Sequence, residues 1–597
     1  MYILGIAGYY HDSAACLLKD GIIVAAAQEE RFSRIKNDPA FPAHSIRYCL
    51  AEANISLNEV EFIAYYEKPF LKFERLLETY LAFAPKGWLS FMKAIPLWLR
   101  GKLLFKRMLT RELLKLEPSC SSVADKLLFS RHHLSHAASA YYPSPFSKAV
   151  ILTVDGVGEW ETTTVSVGED NHITPAKHLN FPHSLGLLYS AFTYYLGFKV
   201  NCDEYKVMGL APYGQPVYSN LIFKELIDVK SDGSFQLHLK YFEYPVGLKM
   251  TGKAFDKLFG RPARKAGEAL DEFHMNMAAS VQQVTEQVML RLTQSLYHEY
   301  GINNLCLAGG VALNCVINAK ILKRSGFERV WVQPAAGDAG GALGAAYAIY
   351  YEHLGNQRAV SGELDSMQNA LLGPAYNNEE EIHAILKQYN MPFQHLEENE
   401  RNAFIASKLA LGQVVGYFSG RMEFGPRALG ARSILADPRN EKMQRTLNLK
   451  IKFRESFRPF APAVLEEYAD EYFDLNEPSP YMLMVGKVLE NKRVGDEQQS
   501  YSGDLNAQIN QVRSVIPAVT HVDYSARLQT VSRTTHPDFY KLINAFYELT
   551  GCPMLVNTSF NRMDEPIVCS PEDAVRCFLN TDIDILVINQ FVVLKNN

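Results

Sequence analysis

Two stretches of the chain share one rhythm of apolar and polar positions. The first, ILGIAGYYHDSAACLLKDGIIVAAA from residue 3, reads as an apolar strand, a glycine-containing turn, a second strand, a Lys-Asp-Gly turn and a third strand. The second, ILTVDGVGEWETTTVSVGEDNHI from residue 151, repeats that order, with Val154-Asp155-Gly156 where the first has Ile6-Ala7-Gly8. A duplication at so long a period predicts two similar lobes facing one cleft, not a solenoid, whose repeats are much shorter. Two later runs each predict a strand, a glycine loop and a helix: NNLCLAGGVALNCVINAKIL (303–322), with Gly309-Gly310, and VWVQPAAGDAGGALGAAYAIYYEHLG (330–355), with Asp338 in the loop. Glycines at such junctions let backbone N–H groups approach a phosphate, and both loops are expected at the same end of the sheet.

The polar, turn-rich run GNQRAVSGELDSMQNALLGPAYNNEE, starting at residue 355, marks the expected boundary between domains at 1–355 and 356–597. A helical insertion is expected at about 79–117. Its segment 87–115 mixes Trp88, Trp98 and Phe105 with Lys93, Arg100, Lys102, Lys106 and Arg107. Such a stretch suits a helical pair packed on its own domain, with lysine stems over apolar surface, or a helix lying on a membrane.

At 597 residues and 48% hydrophobic composition the chain exceeds a single core, which agrees with two domains. A net charge of -5 gives no broad basic field, so small molecules rather than nucleic acid are the expected partners. Nine cysteines without a C-x-x-C pair suit a reducing, cytoplasmic setting. The opening MYILGIAGYYHD lacks the charged start of a signal peptide, and no apolar run is long enough for a transmembrane segment.

In RHHLSH (131–136) a helix would set His132 and His136 on one face and His133 on another, as a surface or hydrogen-bonding residue. Imidazoles joined to Asp155 and Asp338, each beside glycines near a strand end, have the residue types of a divalent-metal site. The spacing of the hairpins and glycine loops matches the actin, Hsp70 and sugar-kinase superfamily. ATP-splitting members of that group place an acid in the first hairpin turn to organise Mg²⁺. This chain has Ala7 there, so the metal would be held differently.

H-x-x-x-H, strand-Asp-Gly, AGGVALN and GDAGGALGAA resemble the tRNA threonylcarbamoyladenosine transferase lobe. The whole chain is closer to the NodU/CmcH/TobZ family of O-carbamoyltransferases. The matching runs are GIAGYYHDSAACLLKDG, AAAQEERFSRIKND, CDEYKVMGLAPYG, FGPRALGARSILADPR, KFRESFRPFAPAV, VTHVDYSARLQTV and VNTSFN, spread over nearly the full length.

That resemblance implies an actin-like (ASKHA) duplicated α/β domain followed by a YrdC-like α/β domain. The second would make carbamoyl adenylate from ATP and carbamoyl phosphate, and the first would pass the carbamoyl group to a hydroxyl of a small natural product or sugar. Activation needs cations around phosphates. Residues 421–458 supply Arg421, Arg427, Arg432, Lys452, Arg454 and Arg458 among Phe424, Phe453, Phe457 and Phe460, a mixture that suggests arginines in a pocket. Lys452, Arg454, Arg527 and Ser559 are the expected activating residues, with Arg421, Arg427, Arg432 and Arg458 holding phosphate or carbamoyl. Asn557 and Asn561 fit turn positions.

In the first domain Gly309, Gly310 and Asn314 would border the nucleoside, and Asp203 and Lys206 would reach its ribose or phosphate. His11, as a neutral imidazole, is the expected general base; a turn histidine bonded to Asp12 is the alternative. The relatives suggest Fe²⁺ on His132, His136, Asp155 and Asp338, with zinc, manganese or magnesium left open by sequence. The insertion is the expected wall of the acceptor pocket. Transfer to an amine or tRNA would share the activation step, whereas a non-catalytic actin-like ATP-binding scaffold would not need the arginines. A homodimer is compatible with the sequence.

Overall fold

The structure, a computed structural model, describes residues 1–98, 104–120, 122–360, 362–475, 477–494 and 505–595; Arg100 and Lys102 lie outside them. The chain forms two compact units, Met1–Glu29 with Asn37–Ser366, and Glu30–Lys36 with Met367–Asn597. The division thus falls later than the start of the turn-rich run, and a short early segment joins the later unit.

In the first unit β1 (Tyr2–Ala7), β2 (Ala14–Lys19), β3 (Ile22–Gln28), β4 (Val60–Tyr65) and β5 (Leu127–Phe129) form a sheet in the order β3-β2-β1-β4-β5. β1 runs antiparallel to β2 and parallel to β4, which is parallel to β5. A second sheet repeats this plan with β6 (Lys148–Val154), β7 (Glu161–Glu169) and β8 (His172–Asn180). A ribbon of β9 (Ile227–Val229) and β10 (Phe235–Leu237) intervenes before β11 (Asn304–Ala308) and β12 (Arg329–Val332) complete the order β8-β7-β6-β11-β12. β6 is antiparallel to β7 and parallel to β11, itself parallel to β12. The repeated apolar rhythm is therefore one actin-like α/β plan used twice.

In each sheet the three parallel strands end at one edge, and ligands of α/β proteins gather beyond such carboxyl ends. Six loops leave these ends: His11 follows β1, Glu67 follows β4, His132 follows β5, Asp155 follows β6, Gly310 follows β11 and Asp338 follows β12.

The helices His132–Tyr141 and Asp338–Tyr347 are packed hard together. Glycine inside a helix costs about 1 kcal/mol against alanine, so the run DAGGALG must gain something by it. A Cβ on Gly344 would overlap the carbonyl of Ser135, and one on Gly5 of β1 the carbonyl of Ala342. The missing side chains let the second helix settle against both the first helix and β1. That approach brings Asp338 to the histidines.

Between β4 and β5 lie the helices Pro69–Phe83, Trp88–Leu97 and Phe105–Leu116, so the helical stretch starts about ten residues before the insertion expected at about 79–117. Among the described residues no helix is long and apolar enough to cross a membrane.

The second unit holds β13 (Phe393–His395), β14 (Val415–Phe418), β15 (Arg432–Ala436), β16 (Ala461–Leu465), β17 (Met484–Lys487), β18 (Ser525–Val531), β19 (Met554–Ser559), β20 (Ile585–Ile588) and β21 (Phe591–Leu594). They form one mixed sheet in the order β13-β21-β20-β14-β15-β19-β16-β18-β17. Glu30–Lys36 is wedged into this unit. Arg31 donates to the Gly425 carbonyl (2.8 Å), Arg34 to the carbonyls of Pro566 (2.8 Å) and Ile567 (2.7 Å), and Phe32 packs on Met422, Ala428, Ile567 and Cys569.

Candidate functional site

His132 opens its helix, and His136 lies one turn on, on the same face. The Nε2 atoms are 3.1 Å apart, and His132 Nε2 is 3.3 Å from Asp155 Oδ2. Asp338 Oδ1 stands 3.7 Å from His132 Nε2 and 3.6 Å from His136 Nε2, and Asp155 Oδ2 is 4.0 Å from His136 Nε2. Donors at roughly 2.0–2.2 Å from one ion are separated from each other by about 2.8–3.6 Å, so these four atoms fit a common divalent ion with little adjustment. One ligand atom from each residue lies within 4.8 Å of every other.

The charges agree with that fit. Burial alone favours a neutral His132, yet the hydrogen bond to Asp155 and the nearby carboxylates of Glu67 and Asp338 hold its pKa well above the usual value. Burial likewise opposes ionised carboxylates, but the histidines keep Asp155 well below its ordinary range, and His11 with the histidines brings Asp338 down to about 2. Two anions buried around facing imidazole nitrogens make a site that holds a cation, whether protons or a metal.

Sequence reasoning missed the supporting acids. Glu159 is buried and accepts from the backbone N–H of His132 (3.0 Å to each oxygen) and of Lys68 (2.7 Å), which caps the start of the histidine helix. Glu67 Oε2 lies 2.8 Å from Lys72 Nζ and 3.7 Å from His132 Nδ1. It therefore faces the imidazole nitrogen that points away from the other ligands, as outer-shell carboxylates do. The signals were available: Glu67 lies two positions beyond an apolar strand, and Glu159 shares a hairpin turn with Asp155.

The Gly309-Gly310 loop, expected to border the nucleoside, lies against Asp155. Gly309 has φ +86°, and a Cβ there would overlap the Val154 carbonyl, while Gly310 N–H donates to Asp155 Oδ1 at 2.9 Å. The loop thus grips a candidate ligand. Asn314 caps the helix Cys315–Arg324, accepting from Ile317 N–H, and exchanges hydrogen bonds with Gln282. Asp203 and Lys206 are buried as a pair, 3.2 Å apart. His133, on the other helix face, is buried beside the Thr164 hydroxyl (3.1 Å) rather than at the surface.

His11 lies 2.9 Å from Asp12 through Nδ1 and 3.7 Å from Asp338 through Nε2. Burial would lower its pKa, but Asp338 and Asp12 push it up to about 9. Bare carboxylates around it favour the charged imidazole over the neutral one expected of a base. A cation on Asp338 and Asp155 removes part of that influence.

In the second unit the arginine run divides. Arg432 is fully buried, lies over the Phe418 ring at 3.5 Å and donates to the carbonyls of Ser419, Gly420, Ala431 and Pro374 at 3.0–3.2 Å. It is a structural clamp, not the expected phosphate ligand, because its guanidinium is committed to backbone. Arg421 ties to the carbonyls of Leu372 (2.7 Å) and Gly373 (3.2 Å). Lys452, also buried, donates to Asn561 Oδ1 (2.7 Å), the Asn561 carbonyl (3.0 Å), Ser559 Oγ (3.1 Å) and the Ser559 carbonyl. It pins the loop after β19 and does not itself reach solvent. Ser559 and Asn561 are joined at 2.7 Å.

Arg454 bonds Asn448 (2.7 Å) beneath Phe460, and Arg458 lies 3.6 Å from Glu455. Arg427 and Arg527 are half-buried, in the 424–431 loop and on β18. Phe424, Phe457 and Phe460 are buried as the sequence implied, but Phe453 is exposed.

The family model described as "Carbamoyltransferase N-terminus" matches residues 2–347, and "Carbamoyltransferase C-terminus" matches 406–595. An uncharacterized protein of Synechocystis sp. is 54% identical over 100% of this chain and 97% of its own. Nodulation protein NolNO of Sinorhizobium fredii is 38% identical over 98% of this chain and 79% of its own, and nodulation protein U of Rhizobium tropici is 29% identical over 92% and 89%. With both halves matched and relatives running along nearly the whole sequence, the chain is a transferase that belongs to the carbamoyltransferase family.

Proposed function

We propose that the protein is an ATP-dependent O-carbamoyltransferase acting on a small hydroxyl compound. Water attacks the phosphorus of carbamoyl phosphate and breaks its P–O bond to release inorganic phosphate and carbamate, and the carbamate oxygen attacks the α-phosphorus of ATP with loss of pyrophosphate. The acceptor oxygen then bonds to the carbamoyl carbon, its proton leaves to a base, and AMP departs. The second unit, read as YrdC-like, is assigned the activation, with Arg454, Arg458, Arg527, Arg427 and Ser559 near phosphate or carbamoyl and Lys452 and Arg432 holding their loops. The first unit is assigned the transfer.

The observation that carries this reading is the convergence of His132, His136, Asp155 and Asp338 beyond the parallel strands of a duplicated actin-like unit. A divalent ion held there, Fe²⁺ by family likeness, supplies Lewis-acid polarisation of a phosphate or carbonyl oxygen. Gly310 fixes Asp155, Glu159 fixes the histidine helix, and His11 is placed to move the acceptor's proton.

The test is nucleotide turnover by the whole protein with carbamoyl phosphate, with and without candidate natural-product or sugar alcohols. AMP and pyrophosphate formed only with carbamoyl phosphate, with mass-spectrometric gain of one carbamoyl unit on the alcohol, is the expected result. ADP would indicate a kinase, and no turnover a binding scaffold.

A further inference from the structure

The helix Trp88–Leu97 is inside out. Ser90 is buried, whereas Trp88 (64% exposed), Leu89 (74%) and Met92 (54%) face solvent, and Leu81 (77%) of the preceding helix is exposed too. Isolated exposed apolar residues mean little, but four large ones within twelve positions make a patch. The orientation is enforced from beneath. Ser90 Oγ donates to the carbonyls of Gly87 (2.9 Å) and Val246 and receives the Tyr80 hydroxyl at 3.1 Å. Gly87 (φ +81°) is seated where a Cβ would collide with Val246. The helix cannot roll its apolar face inward without breaking these contacts.

Charge identifies what the patch meets. From residue 79 to 111 the sequence has no aspartate or glutamate, while Lys86 and Lys93 flank the exposed apolar residues, and Lys106, Arg107 and Arg111 follow. Both lysines at the patch are exposed. Apolar side chains that include a tryptophan, rimmed by Lys86 and Lys93, with Glu78 a turn before Leu81 as the acid at their edge, have the chemistry of a helix lying in the headgroup layer of an anionic bilayer. We infer that the face formed by Leu81, Lys86, Trp88, Leu89, Met92 and Lys93 docks the protein onto an anionic lipid surface.

The test is co-sedimentation of the full-length protein with vesicles of phosphatidylcholine alone or with one-third phosphatidylglycerol. Comparison proteins are Lys86→Glu/Lys93→Glu and Trp88→Ser/Leu89→Ser/Met92→Ser, each checked by thermal melting for native folding. The native protein should need roughly ten-fold less lipid for half-binding when phosphatidylglycerol is present, and each variant should weaken that binding at least about ten-fold. The inference is overturned if the native protein stays in the supernatant or if both variants bind like it. It is equally overturned if light scattering shows a dimer that the triple variant dissociates without any vesicle binding, since the patch would then join two copies of this chain.

Discussion

Glu67→Gln separates metal holding from folding. Glu67 stands between the Lys72 ammonium, 2.8 Å away, and His132 Nδ1, 3.7 Å away, and both members of the ion pair are nearly inaccessible. At an effective dielectric of about 20 the Glu67–Lys72 attraction is roughly 6 kcal/mol before desolvation is counted, and breaking a buried pair from one side costs about 3–5 kcal/mol. Loss of the carboxylate behind a metal-binding imidazole lowers metal affinity about 10–100-fold, or roughly 1.4–2.8 kcal/mol.

The single variant should therefore melt earlier and also bind Fe²⁺ or Zn²⁺ more weakly in competition with a chelator. Glu67→Gln/Lys72→Met, which removes the stranded ammonium, should recover much of the stability but not the affinity. Native metal affinity in that double variant, with folding intact, would refute the role given to Glu67.

Gly344→Ala should force the two helices apart at Ser135, costing about 1–3 kcal/mol in chemical denaturation and lowering metal content as Asp338 moves away. Arg432→Lys should lose at least about 3 kcal/mol of stability, because one nitrogen cannot stand where two guanidinium nitrogens hold the Pro374 carbonyl on one side and those of Ser419, Gly420 and Ala431 on the other; a stable variant with only a raised KM for carbamoyl phosphate would return Arg432 to the substrate pocket. Burial opposes the charge on Asp523, but His521 and the hydroxyl and N–H of Ser525 win and hold its pKa below the usual range. A depressed carboxylate stabilises fully above its unfolded value, about 3.9, and loses that contribution as pH falls through the folded one. Urea melts should accordingly show Asp523→Asn less stable than the native protein at pH 6, with the gap narrowing on acidification.

The duplicated hairpins were legible because each strand is bounded by turn residues and buries an apolar run, and the two copies align at Ile6-Ala7-Gly8 and Val154-Asp155-Gly156. His132 and His136 were legible for a similar reason, since helical spacing places residues four apart together. Asp155 and Asp338 joined them because both follow apolar strands.

Side-chain commitments were not legible. A sequence counts arginines but does not say which donors are already taken, so Arg432 and Lys452 read as substrate ligands although backbone oxygens occupy them. Gly309-Gly310 read as a phosphate loop, and the sequence does not say that the Gly310 N–H also meets a carboxylate from the loop after the neighbouring strand.

The wedge of Glu30–Lys36 in the later unit sets a problem of timing during synthesis. Arg31 and its Gly425 acceptor are 394 residues apart, and Arg34 waits for Ile567 over 533. At about 5–20 residues per second the ribosome leaves Arg31 without that acceptor for roughly 20–80 s. Nearly the whole earlier unit emerges in that interval and must fold around a segment, set between β3 and the helix Ala43–Glu52, that it does not use. A nascent chain that captured Phe32 in its first core would complete translation with the second half lacking a piece that no later residue supplies.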